Sequence, residues 1–280
     1  MIDQAQRLRE IASQSWNKVE TNSNIISVTS GKGGTGKSFI SFYLAQFLAL
    51  KGYKTLLVEF DHNLASLAFH LNIEPPNTLL DIFYGTILFE ELPVKVRENL
   101  HIIFGESGKL QYPQNKVSYV QNFLKTLSKN SASYDFIIID NGAGINTEIF
   151  DTIRASNLNL IVTLPDPVAV MDAYVLLKLM IKSSINTGKG IIINKCSNQK
   201  EGETAFENLN KASLNFFEER LELMGIIEEA KPLQALQLFE TAEVAHQACS
   251  KIIPQFDTII KSVVEFRQLA NNDQSGSSKR

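Results

Sequence analysis

A glycine-rich run near the start of the chain has the residue types and spacing of a phosphate-binding loop. It satisfies the pattern G-x-x-x-x-G-K-[ST] and reads Gly31-Lys32-Gly33-Gly34-Thr35-Gly36-Lys37-Ser38. Glycines let backbone N–H groups surround a phosphate, and the helix expected to begin here adds positive potential. Lys37 then reaches the β- and γ-phosphate oxygens, and Ser38 can ligate Mg²⁺. The loop therefore predicts a site for nucleotide phosphates and Mg²⁺.

Two later apolar runs, one before Glu59 and Asp61 and one before Asp140, end in carboxylates. Because strand residues alternate in direction, Glu59 and Asp61 point to the same side. Ligands of α/β folds bind at the carboxyl edge of the sheet, so all three carboxylates are expected beside the loop. Asp140 is placed to hold hydrated Mg²⁺, and the small residues 142–144 permit a close backbone approach to the γ-phosphate.

Another apolar run, residues 191–193, ends in Asn194. An amide can pair with both the donor and the acceptor on the edge of adenine, so Asn194 is a candidate base-binding residue. An asparagine in a turn at a strand end is the alternative. The segment Thr163-Leu164-Pro165-Asp166-Pro167 gives a further strand end, and a helix that begins with proline in its first turn is sufficient to explain it.

The elements that must position these residues alternate along the chain. Continuously apolar, β-branched runs occur at residues 25–28, 55–58, 102–104, 136–139, 160–162 and 191–193. Helical patterns occur at residues 36–51, 115–129, 145–155 and 168–181. Continuously apolar runs are typical of strands buried on both faces. We therefore expect an α/β fold, a doubly wound and mainly parallel sheet with helices on both faces.

The chain is predicted to form one domain with two appendages. Residues 1–24 contain a short helix, with Asp3 as a candidate N-cap and Trp16 on its apolar face, and a polar linker. Such a helix is marginal in water, so it must pack on the domain or fold against a partner. Residues 25–270 are expected to form the phosphate-binding domain, and residues 271–280 a disordered tail.

Composition excludes several functional classes. The chain has 280 residues, 44% of them hydrophobic, and 27 Lys+Arg against 30 Asp+Glu give a net charge of −3. A slightly acidic protein has no general attraction for nucleic acid, so DNA is not expected as a partner. The only cysteines, Cys196 and Cys249, are far apart, which excludes a disulfide scaffold and favours a reducing cytosol. No run has the length of a membrane-spanning helix or the pattern of a signal peptide, so a cytoplasmic protein is expected.

The phosphate-binding loop resembles the deviant Walker A motif of the MinD/ParA ATPases, because it contains an additional lysine, Lys32. The resemblance implies a P-loop NTPase that binds ATP and Mg²⁺ and forms a homodimer with ATP. It implies that Lys32 of one subunit, like an arginine finger, joins Lys37 at the phosphates held by the other. It also implies that Asp61 orients the attacking water. Glu59 and Ser66 stand where the family commonly has Asp and Asn, so slow hydrolysis of ATP to ADP and phosphate is expected.

The predicted N-terminal helix resembles one particular branch of the MinD/ParA ATPases. Its residues Asp3-Gln4-Ala5-Gln6-Arg7-Leu8-Arg9 match the D-Q-A-x-x-L-R motif of FlhG proteins, MinD-like regulators of flagellar number and placement also called FleN or YlxH. In that family the helix stimulates the signal-recognition-type GTPase FlhF. The implied partner-binding residues are therefore Asp3, Gln4, Ala5, Leu8 and Arg9. Flagellar basal-body proteins are further implied partners.

Alternatives to this interpretation stay open. A MinD/ParA-type ATPase could position or partition another cargo, and Glu59 and Ser66 keep open a pseudo-ATPase adaptor that binds nucleotide without turnover. Residues 254–269 have an apolar face that includes Phe256 and Ile259. This segment is either a peripheral helix at the inner face of the cell membrane or a final helix packed in the core. Its polar face is only weakly basic, which favours the core.

Overall fold

A computed structural model of the chain describes residues 24–61, 67–106, 116–229 and 252–277. In these ranges eight strands form one sheet: β1 Asn24–Thr29, β2 Thr55–Phe60, β3 Val94–Arg97, β4 Leu100–Ile103, β5 Phe136–Asn141, β6 Leu158–Thr163, β7 Gly188–Cys196 and β8 Glu222–Glu228. The α-helices are α1 Lys37–Leu50, α2 Leu67–Leu71, α3 Leu79–Phe83, α4 Lys116–Asn130, α5 Thr147–Ala155, α6 Pro167–Lys182, α7 Gln199–Phe217 and α8 Ile253–Ser277.

The strands lie in the order β3-β4-β2-β5-β1-β6-β7-β8. Each pairing between described strands is parallel, except that β3 runs antiparallel to β4. The carboxyl ends of β1, β2, β5 and β7 therefore meet at one edge of the sheet. In the register of β2 and β5, Glu59 lies opposite Asp140. The topology thus brings the predicted carboxylates to the edge where β1 leads into the glycine-rich loop.

Helices cover both faces of the sheet, as the apolar strands require. Phe136 and Ile138 of β5 face the core formed with α1 and α8. Ile137 and Ile139 of the same strand face α3 and α4. Along β6 and β7 the second face packs against α5, α6 and α7. The predicted fold class, a doubly wound and mainly parallel α/β sheet, is confirmed.

The sequence missed two strands and one long helix. β3 has charged residues at alternate positions and lies at one edge of the sheet, so it lacks the continuous apolar run that marks the central strands. β8 lies at the other edge. α7 is rich in charged and polar residues and buries a narrow stripe that includes Ala205 and Leu209. In β3 and α7 partial exposure weakens the hydrophobic signal, and in β8 Gly225 interrupts the apolar run.

The C-terminal helix packs in the core of the domain and is longer than the helix considered from the sequence. Phe256, Ile259, Ile260 and Val263 of α8 are buried in the core, where Phe256 packs against the ring of Phe47 with centroids 5.4 Å apart. The apolar face considered for membrane binding is therefore used inside the domain. α8 also continues to Ser277 and therefore includes residues 271–277 of the segment for which the sequence predicts a disordered tail. A packed helix extends readily, because each added residue gains a backbone hydrogen bond.

Residues 1–23, which carry the predicted partner-binding helix, lie outside the described residues. No helix in the described parts of the chain is long and apolar enough to cross a membrane.

Candidate functional site

The glycine-rich loop connects the end of β1 to the start of α1. Gly36, the residue before α1, has a φ of 89°, in the left-handed region that a side chain disfavours. α1 then begins at Lys37, so its unpaired N-terminal N–H groups open toward the loop. The chain therefore forms the strand, loop and helix arrangement that phosphate binding by this motif requires.

Lys37 lies at the centre of the site and is 7% exposed. Burial lowers the pKa of its ammonium, whereas the charges of Asp140 and Asp61 raise it. One buried cation therefore lies near two carboxylates, Asp140 at the end of β5 and Asp61 directly after β2. Such a group lacks part of the solvation it would have in water, and anionic phosphate oxygens can replace that solvation.

Asp140 ends β5 as a carboxylate that is 1% exposed. Its Oδ1 accepts a hydrogen bond from the Ser41 hydroxyl at 3.0 Å, but its buried Oδ2 has no hydrogen-bond partner among the described residues. Burial raises the pKa of Asp140 to about 6, and the Ser38 hydroxyl and the Lys37 ammonium act in the opposite direction. A buried acceptor without a donor, next to a serine hydroxyl, fits a Mg²⁺ ligand pair.

Asp61 follows β2 and lies against the turn after β5. A Cβ atom at Gly142 would stand 3.4 Å from Asp61 Oδ1, which is van der Waals contact, so the Asp61 carboxylate lies directly against this turn. The N–H of Gly144 donates to the Ser30 carbonyl at 3.3 Å. The turn at 142–144 thus contacts both Asp61 and the start of the phosphate-binding loop, which places Asp61 at the site.

Glu59 has a structural task that sequence reasoning missed. It is 3% exposed, and its Oε1 accepts a hydrogen bond from the N–H of Leu67 at 2.9 Å. Its Oε2 accepts one from the N–H of Gly105 at 3.1 Å. One side chain therefore joins the chain after β2 to the chain after β4. The strand-end position signalled a carboxylate near the site, but the backbone donors are distant in sequence and left no local signal. Ser66 lies outside the described residues.

Lys32 lies beside α6 of its own chain. Its Nζ is 3.4 Å from both carboxylate oxygens of Asp166. Asp166 Oδ1 also caps α6 by accepting from the N–H groups of Val168 and Ala169 at 3.1 and 3.0 Å. The N–H of Ala169 is the largest of the influences that lower the pKa of Asp166, and Lys32 adds to it. The helix start with Asp166 and Pro167 thus serves as an N-cap and as an ion-pair partner.

Asn194 closes the site from β7. Its Nδ2 donates to the carbonyl of Thr35 at 2.8 Å, and the side chain is buried. This contact ties β7 to the phosphate-binding loop, while adenine binding by Asn194 stays a prediction. The structure therefore brings together the loop from Gly31 to Ser38, Asp61, Asp140 and Asn194 at one edge of the sheet. The helix residues from Asp3 to Arg9 lie outside the described residues.

Comparison with known proteins gives matches over most of the chain. Residues 26–241 match the model of the CobQ/CobB/MinD/ParA nucleotide binding domain. The flagellum site-determining protein YlxH of Helicobacter pylori is 33% identical over 218 residues, which are 76% of this chain and 72% of that protein. The antiactivator FleN of Pseudomonas aeruginosa is 28% identical over 203 residues, with 72% of each chain covered.

A solved structure supports the same fold. The septum site-determining protein MinD from Pyrococcus horikoshii OT3, complexed with Mg-ADP, superposes with a TM-score of 0.68 at 24% sequence identity. The match covers 86% of this chain and 96% of that one. At this identity the likeness establishes the fold of the chain.

Proposed function

The chain belongs to the CobQ/CobB/MinD/ParA family of nucleotide-binding domains, and from this premise we propose that it is an ATP-hydrolysing switch that regulates the number or placement of flagella. The observation that carries the ATPase part is the meeting of Lys37, Asp61 and Asp140 beside one phosphate-binding loop. The flagellar part rests on the N-terminal motif and on relatives named for flagellum site determination and antiactivation.

ATP would bind with its phosphates in the loop from Gly31 to Ser38. The backbone N–H groups of the loop and the N-terminus of α1 offer donors, and Lys37 offers a buried positive charge. Transfer of the γ-phosphoryl group to water develops negative charge on the phosphate oxygens. Lys37 lies where it can stabilise that charge without rearrangement, which is the main contribution that phosphoryl-transfer sites make.

The donor set at the end of β5 fits Mg²⁺. Ser38 and Asp140 are the residues that would hold the ion, since Asp140 Oδ2 is buried without a hydrogen-bond partner among the described residues. When bound, Mg²⁺ supplies neutralisation of the phosphate charges. Asp140 must be ionised for this role, so its raised pKa makes metal binding weaker in acidic solution.

Asp61 is the residue that would orient the attacking water. It stands against Gly142, in the turn that also donates a hydrogen bond to Ser30, the residue before the phosphate-binding loop. A carboxylate here can accept a hydrogen bond from water and point its oxygen toward the γ-phosphorus. Glu59 contributes indirectly, because it holds the backbone at Leu67, six residues beyond Asp61.

Lys32 would serve in an ATP-bound homodimer. In the single chain it contacts Asp166, and the two side chains are 32% and 43% exposed. An ion pair this exposed contributes only about 0–1 kcal/mol. Lys32 can therefore leave Asp166 at little cost and place its ammonium at the phosphates of a second subunit. ATP would in this way stabilise the dimer, and hydrolysis would release it.

The partner of the switch would be an FlhF-type GTPase, bound by the N-terminal helix through Asp3, Gln4, Ala5, Leu8 and Arg9. Flagellar basal-body proteins would contact the ATP-bound form. The location would be the cytoplasm. Peripheral membrane contact finds no support in α8, because its apolar face is buried in the core.

Stimulation of a cognate FlhF-type GTPase tests the flagellar part. GTP hydrolysis is measured with the full chain, with the Gln4→Ala variant, and with Gln6→Ala, which changes a variable position of the same motif. We expect the wild-type chain and Gln6→Ala to accelerate GTP hydrolysis, and Gln4→Ala to lose the effect.

Absence of stimulation by the wild-type chain would contradict the flagellar assignment and would favour a positioning ATPase with another cargo. Intact ATP binding with no turnover would instead favour a pseudo-ATPase adaptor. An ATP-dependent and steeply salt-dependent shift of DNA would indicate a partition function.

A further inference from the structure

The carboxyl end of β7 has an irregular backbone next to the phosphate-binding loop. The pairing of β7 with β8 shifts register between Ile193 and Cys196, as at a β-bulge. Within this shift Lys195 has a φ of 56°, in the left-handed region that costs a lysine free energy. Bulges at the ends of strands redirect side chains. The side chains that this bulge redirects are those of Asn194 and Lys195.

Two successive side chains at this bulge reach the same loop. Neighbouring residues of a regular strand face opposite sides of the sheet. Here Asn194 Nδ2 donates to the carbonyl of Thr35 at 2.8 Å, and Lys195 Nζ donates to the carbonyl of Gly34 at 2.9 Å. The strained backbone of Lys195 thus lets two adjacent residues hold two adjacent carbonyl groups.

Because the peptide unit is planar, these two contacts also orient the N–H groups of the loop. In a trans peptide the C=O of one residue and the N–H of the next point in opposite directions. Holding the Gly34 and Thr35 carbonyls toward β7 turns the N–H groups of Thr35 and Gly36 away from β7. Successive N–H groups that point the same way form the anion-binding concavity of phosphate-binding loops.

We propose that Lys195 is a positioning residue for the phosphate-binding loop: its ammonium holds the Gly34 carbonyl so that the following N–H groups are oriented for nucleotide phosphates before the nucleotide binds. The inference rests on the proposed nucleotide-binding function of the same site. It differs from the role of Lys37, because Lys195 acts through the backbone of the loop. Preorganised donors bind more tightly, since they lose less conformational freedom on binding.

A substitution by glycine separates this role from a role in folding. Lys195→Gly removes the ammonium and also removes the left-handed strain. Ser184→Gly is the matched control for strain, because Ser184 has a φ of 52° and precedes β7 at the opposite edge of the sheet. Lys195→Arg retains a cationic donor. Lys211→Met removes a cation that is 70% exposed on α7.

Affinity for Mg-ADP and for a non-hydrolysable ATP analogue is measured by calorimetry, and thermal unfolding is followed in parallel. We expect Lys195→Gly to bind both nucleotides about tenfold more weakly, with an unfolding midpoint that is unchanged or higher. Lys195→Arg should stay within about threefold of the wild-type affinity. Ser184→Gly should raise the midpoint without changing affinity, and Lys211→Met should change neither.

Two results would overturn the inference. Wild-type affinity in Lys195→Gly would show that the contact with Gly34 does not prepare the loop. A joint fall of affinity and unfolding midpoint would show that Lys195 serves the fold. If the wild-type chain itself bound no nucleotide, the proposed function would fail first, and this inference with it. These results are distinguishable because the wild-type titration is read before any variant.

Discussion

Two neighbouring strands, β2 and β5, each carry a buried carboxylate, and Glu59 lies opposite Asp140 in their register. Glu59 is 3% exposed and Asp140 is 1% exposed. Both oxygens of Glu59 accept backbone N–H groups, at 2.9 and 3.1 Å. Asp140 accepts from Ser41 through one oxygen, and its other oxygen has no hydrogen-bond partner among the described residues.

The difference separates a carboxylate whose oxygens are both used within the chain from one that is proposed to bind Mg²⁺. A buried acceptor without a donor costs about 1–3 kcal/mol, and a cation bound beside Lys37 and Ser38 would remove that cost at Asp140 Oδ2. Glu59 has no unsatisfied oxygen, because the N–H groups of Leu67 and Gly105 donate to its two oxygens. The position of a carboxylate at a strand end therefore does not reveal its task; the state of its two oxygens does.

The largest expected effect is on turnover in Asp140→Asn. Loss of the carboxylate should lower Mg²⁺-dependent ATP hydrolysis by roughly 10²–10³-fold, because charge neutralisation by the metal contributes several kcal/mol. The stability of the metal-free protein should be unchanged or higher, since a buried charge is removed. Steady-state phosphate release and denaturant unfolding measure the two quantities. A variant that hydrolyses ATP normally would break the contrast between the strands.

Glu59→Gln should lower the stability of the protein, which Asp140→Asn is expected to leave unchanged or to raise. Glutamine offers one carbonyl oxygen and an NH₂ group, so one backbone N–H loses its acceptor and meets a donor. We expect the free energy of unfolding to fall by about 1–3 kcal/mol. Glu59→Ala removes both acceptors and should be less stable than Glu59→Gln. Urea unfolding checks this order, and full stability in both variants would remove the architectural role of Glu59.

Much of this site could be predicted from local sequence. The pattern from Gly31 to Ser38 is contiguous, and the carboxylates at Asp61 and Asp140 follow continuous apolar runs. Each of these signals lies within a single loop or strand. Local spacing is therefore enough to predict at which edge of the sheet the side chain lies. The edge strands β3 and β8 could not be predicted in this way, because charged residues interrupt the apolar pattern of β3 and Gly225 interrupts that of β8.

The contacts that give the residues their different tasks could not be predicted in this way. Glu59 bonds to Gly105, 46 positions away, and Lys32 bonds to Asp166, 134 positions away. Asn194 and Lys195 reach the loop across about 160 residues through a bulge that no sequence spacing announces. These residues meet only in the folded chain, so the sequence alone does not predict which of them pair.

The pH dependence of stability sharpens the same contrast. Burial raises the pKa of Asp140 from 3.8 to about 6. The folded chain therefore holds a proton that the unfolded chain releases between these values, and stability from this group is lost as the pH rises through about 6. In EDTA, wild-type unfolding should be compared with Asp140→Asn between pH 4 and pH 7. We expect the variant to lose this part of the slope; an unchanged slope would contradict the raised pKa.

The smallest expected effect concerns a carboxylate at the surface. Asp166→Ser keeps an N-cap for α6 but removes the partner of Lys32, whereas Asp166→Ala removes both. The serine variant should form the ATP-bound dimer at protein concentrations up to about threefold lower, because the exposed ion pair contributes little. Sedimentation velocity measures this. A weaker dimer in Asp166→Ser would show that the ion pair with Asp166 does not compete with the role of Lys32 in the dimer.

Turnover of Mg-ATP by Asp61→Ala measures whether Asp61 drives the release of the ATP-bound dimer. Phosphate release and molar mass by light scattering are followed in the same sample, and nucleotide affinity is measured by calorimetry. We expect intact ATP binding, hydrolysis at least about a hundredfold slower, and a dimer that persists for as long as ATP is present. Hydrolysis at the wild-type rate would contradict the assignment of Asp61 and the switch built on it.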